Sequence, residues 1–367
     1  MAAVQRQLPA RTAVLAYFVG DSASHAWLLT ARDLRHAALP GREQLQRAMS
    51  VLTTARRGGA VDSSAERDLG SMLLGHMLDG VTESRMLVLA DGPLNAVPFA
   101  SLVVPGTPGE LLIDRFVLGY APSLALAMES ALPAKSHNTR VAVISDPIYA
   151  ADDRRLRKAQ HGSPGNLRSP PRASPNNLTR LPYSALEASA VTKALGSSDT
   201  IQLSGFDATT DRVLQLPSRD LAVLHFATHA VARQDSPEQS ALYLSEYTAE
   251  GTLLPDSRLT ANDIARSGLR ADVVVLSGCA TGDGVSLRGE GVLGLTYGFL
   301  ANGSHSVVAT LWPVEDASTA RFMNEFYRAY RASGRAADAL REAQMRTRGN
   351  AATSVWSSFV VRANEFP

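Results

Sequence analysis

Two short strings hold the side chains best suited to covalent chemistry. LHFATHA (224–230) brings a strand-like run to His229, and LSGCATGDG (276–284) brings another to Cys279. If the two runs are neighbouring strands of one sheet, an imidazole and a thiol leave the same edge as a nucleophile and its base. A thiol needs that help: with an ordinary pKa of about 8.5 it is mostly protonated at neutral pH, and an imidazole both raises the thiolate fraction and later protonates a leaving group. Ala280, Thr281 and Gly282 are small enough for a substrate backbone to approach, and the backbone N–H groups of Ala230 and Cys279 could face a developing oxyanion. Each residue also has a plainer reading. A lone Cys at the end of a buried strand is a small core hydrophobe. His225, on the same face as Ala227, reads as a core or supporting histidine, whereas His229 leaves the strand beside the small Ala230.

Three carboxylates fall at strand ends. Asp146 follows RVAVIS, and Glu315 and Asp316 follow SVVATLW. Acids on the floor of a cleft select a substrate Arg or Lys by charge-assisted pairing, so the three are candidate substrate-binding residues. Asp316 reads equally as a cap or first-turn acid of the helix that AST opens. A rival lies nearby: Gly289, Gly291 and Gly294 in GEGVLG make a G-x-G-x-x-G at a helix start, with Glu315 about twenty residues on. A dinucleotide turn puts its first Gly directly after the strand, and here Leu276 to Gly289 leaves a loop holding Cys279, which argues against that reading.

These strings need a scaffold. Strands are expected at 13–19, 26–30, 85–91, 140–147, 200–203, 221–227, 241–245, 272–277 and 305–312. Helices are expected at 43–55, 66–79, 123–132, 183–195, 209–215, 260–267, 290–301, 315–331 and 335–347. This alternation predicts an α/β fold, a mostly parallel sheet with helices on both faces, whose strand ends collect ligands and catalytic groups. Residues 150–181 break the pattern with Pro, Ser and Arg, and are expected to form a flexible basic loop, either a solvated insertion or a docking or processing segment.

Composition narrows the classes. The 367 residues are 45% apolar and 19% charged, with a net charge of +1, so nothing in the whole-chain balance calls for nucleic acid or an anionic membrane as partner. A single cysteine excludes a disulfide framework and a thiolate zinc site within one chain, and neither metal nor cofactor is expected. Arg6, Pro9 and Arg11 interrupt the N-terminal apolar stretch, and no window approaches the ~18 apolar residues of a membrane span, so a cytoplasmic location is expected.

LVLADGPLNAVPFASL (87–102), LHFATHA, LSGCATGDG, GEGVLGLTYGFLANGSHSVVATLWPVEDAST (289–319) and the closing ALREAQ and WSSFVV together resemble the CHAT domain family of caspase-like, separase-related cysteine peptidases. The resemblance runs in order over nearly the whole chain. It implies a caspase-like α/β sandwich, with a degenerate caspase-like half over 1–135 and a second half over 136–367 that carries His229 as base and Cys279 as nucleophile. It further implies a cysteine endopeptidase working through an acyl-enzyme. In separase-like relatives, an acid after the LW-x-V string goes with cleavage after a basic residue. Such relatives are often fused to tetratricopeptide repeats or act in bacterial defence and cell death, so besides a protein or peptide substrate the expected partner is a separate sensor or regulatory protein. A non-catalytic interaction module of the same fold is the alternative. Where the family usually has Gly after the catalytic His this chain has Ala230, and where many members read LSAC it has Gly278 before Cys279.

Overall fold

Runs such as Val273–Leu276 and Ser306–Thr310 are buried along their whole length, as strands covered by helices on both faces must be. The computed structural model describes residues 2–57, 63–107, 109–129, 139–156, 176, 178–218, 220–233, 235–278, 290–349, 353–363 and 366–367. Its strands are β1 (Thr12–Phe18), β2 (Ala23–Leu29), β3 (Leu34–Pro40), β4 (Arg85–Leu89), β5 (Val117–Tyr120), β6 (Arg140–Ser145), β7 (Thr200–Ser204), β8 (Leu221–Ala227), β9 (Ala230–Val231), β10 (Ala241–Tyr243), β11 (Arg258–Thr260), β12 (Val273–Leu276), β13 (Ser306–Thr310) and β14 (Phe359–Ala363). Eleven of them form one sheet in the order β3-β2-β1-β4-β5-β14-β13-β12-β8-β6-β7. Neighbours are parallel except in the β1–β2–β3 meander and where β14 runs against β13.

The described helices are α1 (Ala2–Gln7), α2 (Arg42–Arg57), α3 (Ser63–Leu74), α4 (Leu112–Arg115), α5 (Leu124–Glu129), α6 (Ser184–Leu195), α7 (Thr210–Leu214), α8 (Ala261–Ser267), α9 (Glu290–Ala301), α10 (Asp316–Ser333), α11 (Ala336–Thr347) and α12 (Thr353–Trp356). Strand alternation sends successive side chains into two cores. Val143, Val223, Val275 and Val308 pack with Val191 of α6, Phe322 and Phe326 of α10 and Leu340 of α11. Their neighbours Ala142, Leu224, Val274 and Val307 face Val213 of α7, Ile264 of α8 and Phe299 of α9. The same two-sided cover brings β8 between β12 and β6, with His225 level with both Val275 and Val143.

Several elements differ from the expectation drawn from the sequence. The run at 241–245 leaves the main sheet and pairs as β10 in a small sheet of order β11-β10-β9 beside the β8 exit. The helix expected over 66–79 ends at Leu74, where Gly75 turns to φ +49°. β3 and β5 were not anticipated, because neither is a long apolar run. The boundary expected at 135/136 lies outside the described residues, and so do 157–175 and 177 of the expected loop. Strands drawn from before and after that boundary belong to one continuous sheet, since β14 from the end of the chain lies between β5 and β13.

Candidate active site

His229 sits two residues past β8, buried to 4% exposure, and three groups fix it. Its backbone N–H donates to Tyr149 Oη at 3.1 Å, and the two rings lie 4.9 Å apart. The Tyr149 phenol donates in turn to the Tyr243 carbonyl; burial pushes its pKa well up, so it keeps that proton. Nε2 lies 2.6 Å from the Thr179 carbonyl oxygen. A carbonyl can only accept, so Nε2 carries the ring proton and Nδ1 keeps a lone pair. That Nδ1 is buried and has no hydrogen-bonding partner among the described residues. Burial lowers the His229 pKa from its ordinary 6.5, opposed in part by the Thr179 hydrogen bond. The lowered pKa keeps the imidazole neutral at physiological pH, with Nδ1 basic and unbonded to any described residue.

Cys279 lies outside the described residues, but the chain just before it is fixed closely. A Cβ at Gly278 would stand 2.3 Å from the Thr228 carbonyl oxygen, well inside contact distance. The residue before Cys279 therefore touches the residue before His229, and an LSAC sequence would not permit this approach. Ala230 also fits. Tyr243 N–H donates to the His229 carbonyl, which makes Ala230 and Leu242 a pair without mutual hydrogen bonds and turns the Ala230 N–H away from β10. Arg11 and Asp146 are the non-glycine residues with positive φ among those described, so Ala230 takes the place of the family's Gly without backbone strain.

The three carboxylates separate into different roles. Asp146, at the end of β6 with φ +48°, receives Nε and Nη2 of Arg180 at 2.8 and 2.7 Å and Nη1 of Arg155 at 2.8 Å, and its own N–H donates to Ser184 Oγ. Two guanidinium groups already use it, so it is not free to read a substrate. Glu315 bonds Ser318 Oγ through its side chain and takes the Thr319 hydroxyl on its carbonyl, closing the start of α10. Asp316 is half-buried, and its Oδ2 accepts from Tyr183 N–H at 2.8 Å. Burial raises its pKa; the Tyr183 bond opposes the rise, and the nearby Glu187, Asp146 and Glu315 charges add to it. The stretch Thr179–Tyr183 thus touches His229, Asp146 and Asp316 in turn. Sequence reasoning missed Tyr149, Thr179 and Arg180: one acts through a backbone carbonyl, and no spacing rule links any of them to His229.

Other expected features resolve simply. A Cβ at Gly294 would lie 2.2 Å from the Pro237 carbonyl oxygen, so that glycine of GEGVLG serves helix packing, while Gly289 lies outside the described residues. Among the described residues no group of three or more His, Cys, Asp or Glu is arranged to hold a metal, and no helix is long and apolar enough to cross a membrane.

A mostly parallel, two-faced sheet with a histidine at the end of one central strand and a cysteine following its neighbour defines the caspase-like class of α/β folds. The profile of the CHAT domain matches residues 64–363, and the chain belongs to that family. Separase of Saccharomyces cerevisiae, solved in complex with securin, superposes with a TM-score of 0.55 at 9% identity, over 98% of this chain and 30% of that one, which defines the shared fold. The Arg-specific cysteine proteinase gingipain R superposes with a TM-score of 0.43 at 9% identity, over 83% of this chain and 67% of that chain. Tetratricopeptide repeat protein 28 of Homo sapiens is 26% identical over 347 residues, and that of Mus musculus 28% over 315. The matches cover 83% and 74% of this chain but only 13% and 12% of those proteins.

Proposed function

We propose that the chain is a cysteine endopeptidase in which Cys279 is the nucleophile and His229 its general base. The observation that carries this reading is His229 itself: Thr179 holds the proton on Nε2, burial keeps the ring neutral, and Nδ1 is buried and without a hydrogen-bonding partner among the described residues. A core histidine with no chemical role would be expected to have both nitrogens satisfied. In the reaction the Cys279 thiol proton passes to Nδ1 as the sulfur attacks the scissile carbonyl carbon. The oxyanion is received by the N–H groups of Ala230 and Cys279. The imidazolium, its Nε2–H held by the Thr179 carbonyl, returns the proton from Nδ1 to the leaving amine, and water then hydrolyses the thioester.

The residue before the scissile bond is proposed to be basic. Asp316 supports this, because a half-buried carboxyl among Glu187, Asp146 and Glu315 gains most from a guanidinium or ammonium partner. Asp146 is left out of that pocket, and Glu315 contributes only its charge. The proposed setting, a cytoplasmic, sensor-controlled bacterial defence or cell-death response, is supported by the family resemblance. Fluorogenic peptides ending in Arg, Lys or Asp test the reading: the wild-type chain should turn over the Arg and Lys series, Cys279→Ala none, and Asp316→Asn should raise KM for the basic series. Equal turnover by wild type and Cys279→Ala would favour the non-catalytic interaction module, and cleavage after Asp alone would remove the basic pocket.

A further inference from the structure

Four polar side chains are sealed together beneath this site; apart from the charge of Glu187 near Asp316, the chemistry above uses none of them. His225 on β8 is fully buried; Nδ1 is hydrogen-bonded to Tyr327 Oη of α10 at 2.9 Å, and Nε2 lies 3.0 Å from Glu187 Oε1 of α6 in a contact that lacks hydrogen-bond geometry, that oxygen having no hydrogen-bond partner among the described residues. The same Nε2 lies 3.4 Å from Ser277 Oγ, just past β12. Glu187, Tyr327 and Ser277 are buried as deeply. Burial holds the Tyr327 phenol well above its ordinary pKa, so it stays protonated. Sequestering such groups costs free energy unless each finds a partner, and apolar side chains of similar shape would hold the core at least as well. What apolar side chains would not supply is a fixed register between particular atoms.

The register at stake is that of the two site strands. Their ladder ends at Leu276 opposite Phe226. Beyond it, Ser277 N–H and Oγ both reach the Phe226 carbonyl, at 3.1 and 3.3 Å, so one serine ties the β12 exit to β8 and meets His225. Helices α6 and α10, which pack on each other above this face, hold His225 from the other side.

We propose that His225 is a positioning residue: hydrogen-bonded to Tyr327, packed against Glu187 and touching Ser277, it sets the spacing between the β8 and β12 exits, and so the approach of His229 to the residue after Gly278. The proposal rests on the dyad reading above, and its test separates the two. Cys279 is the only thiol, so iodoacetamide alkylation of the full chain across pH reports that residue alone. The wild-type midpoint is expected below the ordinary thiol value of about 8.5, and His229→Ala should return it there. Tyr327→Phe, His225→Gln and His225→Leu should each keep a cooperative thermal transition, move the midpoint towards the His229→Ala value, and slow alkylation at pH 7 by about tenfold or more in the Leu variant. His225→Gln, which retains a donor and an acceptor, should be partly rescued. An unmoved midpoint in the folded variants overturns the brace and leaves the dyad standing. A wild-type midpoint at the ordinary value, indifferent to His229→Ala, overturns both. A midpoint that moves only where the thermal transition is lost also overturns the brace, because unfolding by itself exposes an ordinary thiol.

Discussion

Gly278 and Thr228 touch because one of them has no side chain, and that contact is the narrowest tolerance in the site. A Gly278→Ala methyl meets the Thr228 backbone, which can move only by parting β8 from β12. The expected result is a loss of about 1–3 kcal/mol in urea unfolding together with a fall in peptidase rate. Unchanged stability and rate would show that the strand exits have slack. His229 makes a second prediction through pH. Its pKa is lowered in the folded chain, so folding favours the neutral ring. That contribution is complete above the unfolded value of 6.5 and is lost as pH falls through it towards the folded value. Stability should therefore drop between pH 7 and 5 less steeply in His229→Gln than in wild type, and the acid limb of activity should have its midpoint below 6.5.

At the scale of elements, β14 carries an unusual joint. Arg362 is buried on it, and burial pulls its guanidinium pKa down. Nη1 reaches Asn95 Oδ1 at 3.2 Å and Nη2 the Asn95 carbonyl at 3.0 Å, with the Tyr120 ring centroid 5.5 Å away. Asn95→Ala keeps the carbonyl but removes the side-chain acceptor from a buried cation, which should cost about 1–3 kcal/mol in chemical denaturation. Elements of this kind were unevenly legible in the sequence. β8, β12 and α9 announce themselves, since a buried parallel strand must be a short apolar run and α9 follows the Gly-rich string closely. β3 does not: its residues alternate between half-buried and exposed around Arg35 and His36, and it exists because β2 offers an unpaired edge. His229 was legible for the same reason as its strand. Thr179 and Arg180 were not, because they come from an Arg- and Pro-rich stretch that reads as a solvated loop, and their contacts span 50 and 34 residues of sequence.

The larger of the two cores runs through both ends of the sheet. Side chains from β1 and β4 belong to the same apolar cluster as those from β6, β8, β12 and β13 and from α10 and α11, so the two expected halves should melt together. Calorimetry should give a single cooperative transition, and two resolved ones would show that 1–135 and 136–367 fold independently. Within that sheet the site lies at the interior strands β12 and β8, the latter two strands in from the β7 edge, where a neutral, buried imidazole is held by groups from β10, the 147–149 turn and the 178–183 stretch. The claim that this imidazole serves as the base for Cys279 is tested most directly by mass spectrometry of the intact chain after a peptidyl-arginine chloromethyl ketone. The account predicts one adduct, on Cys279, formed rapidly in wild type and at least about a hundredfold more slowly in His229→Ala. An adduct that forms equally fast without His229, or none on Cys279, would contradict it.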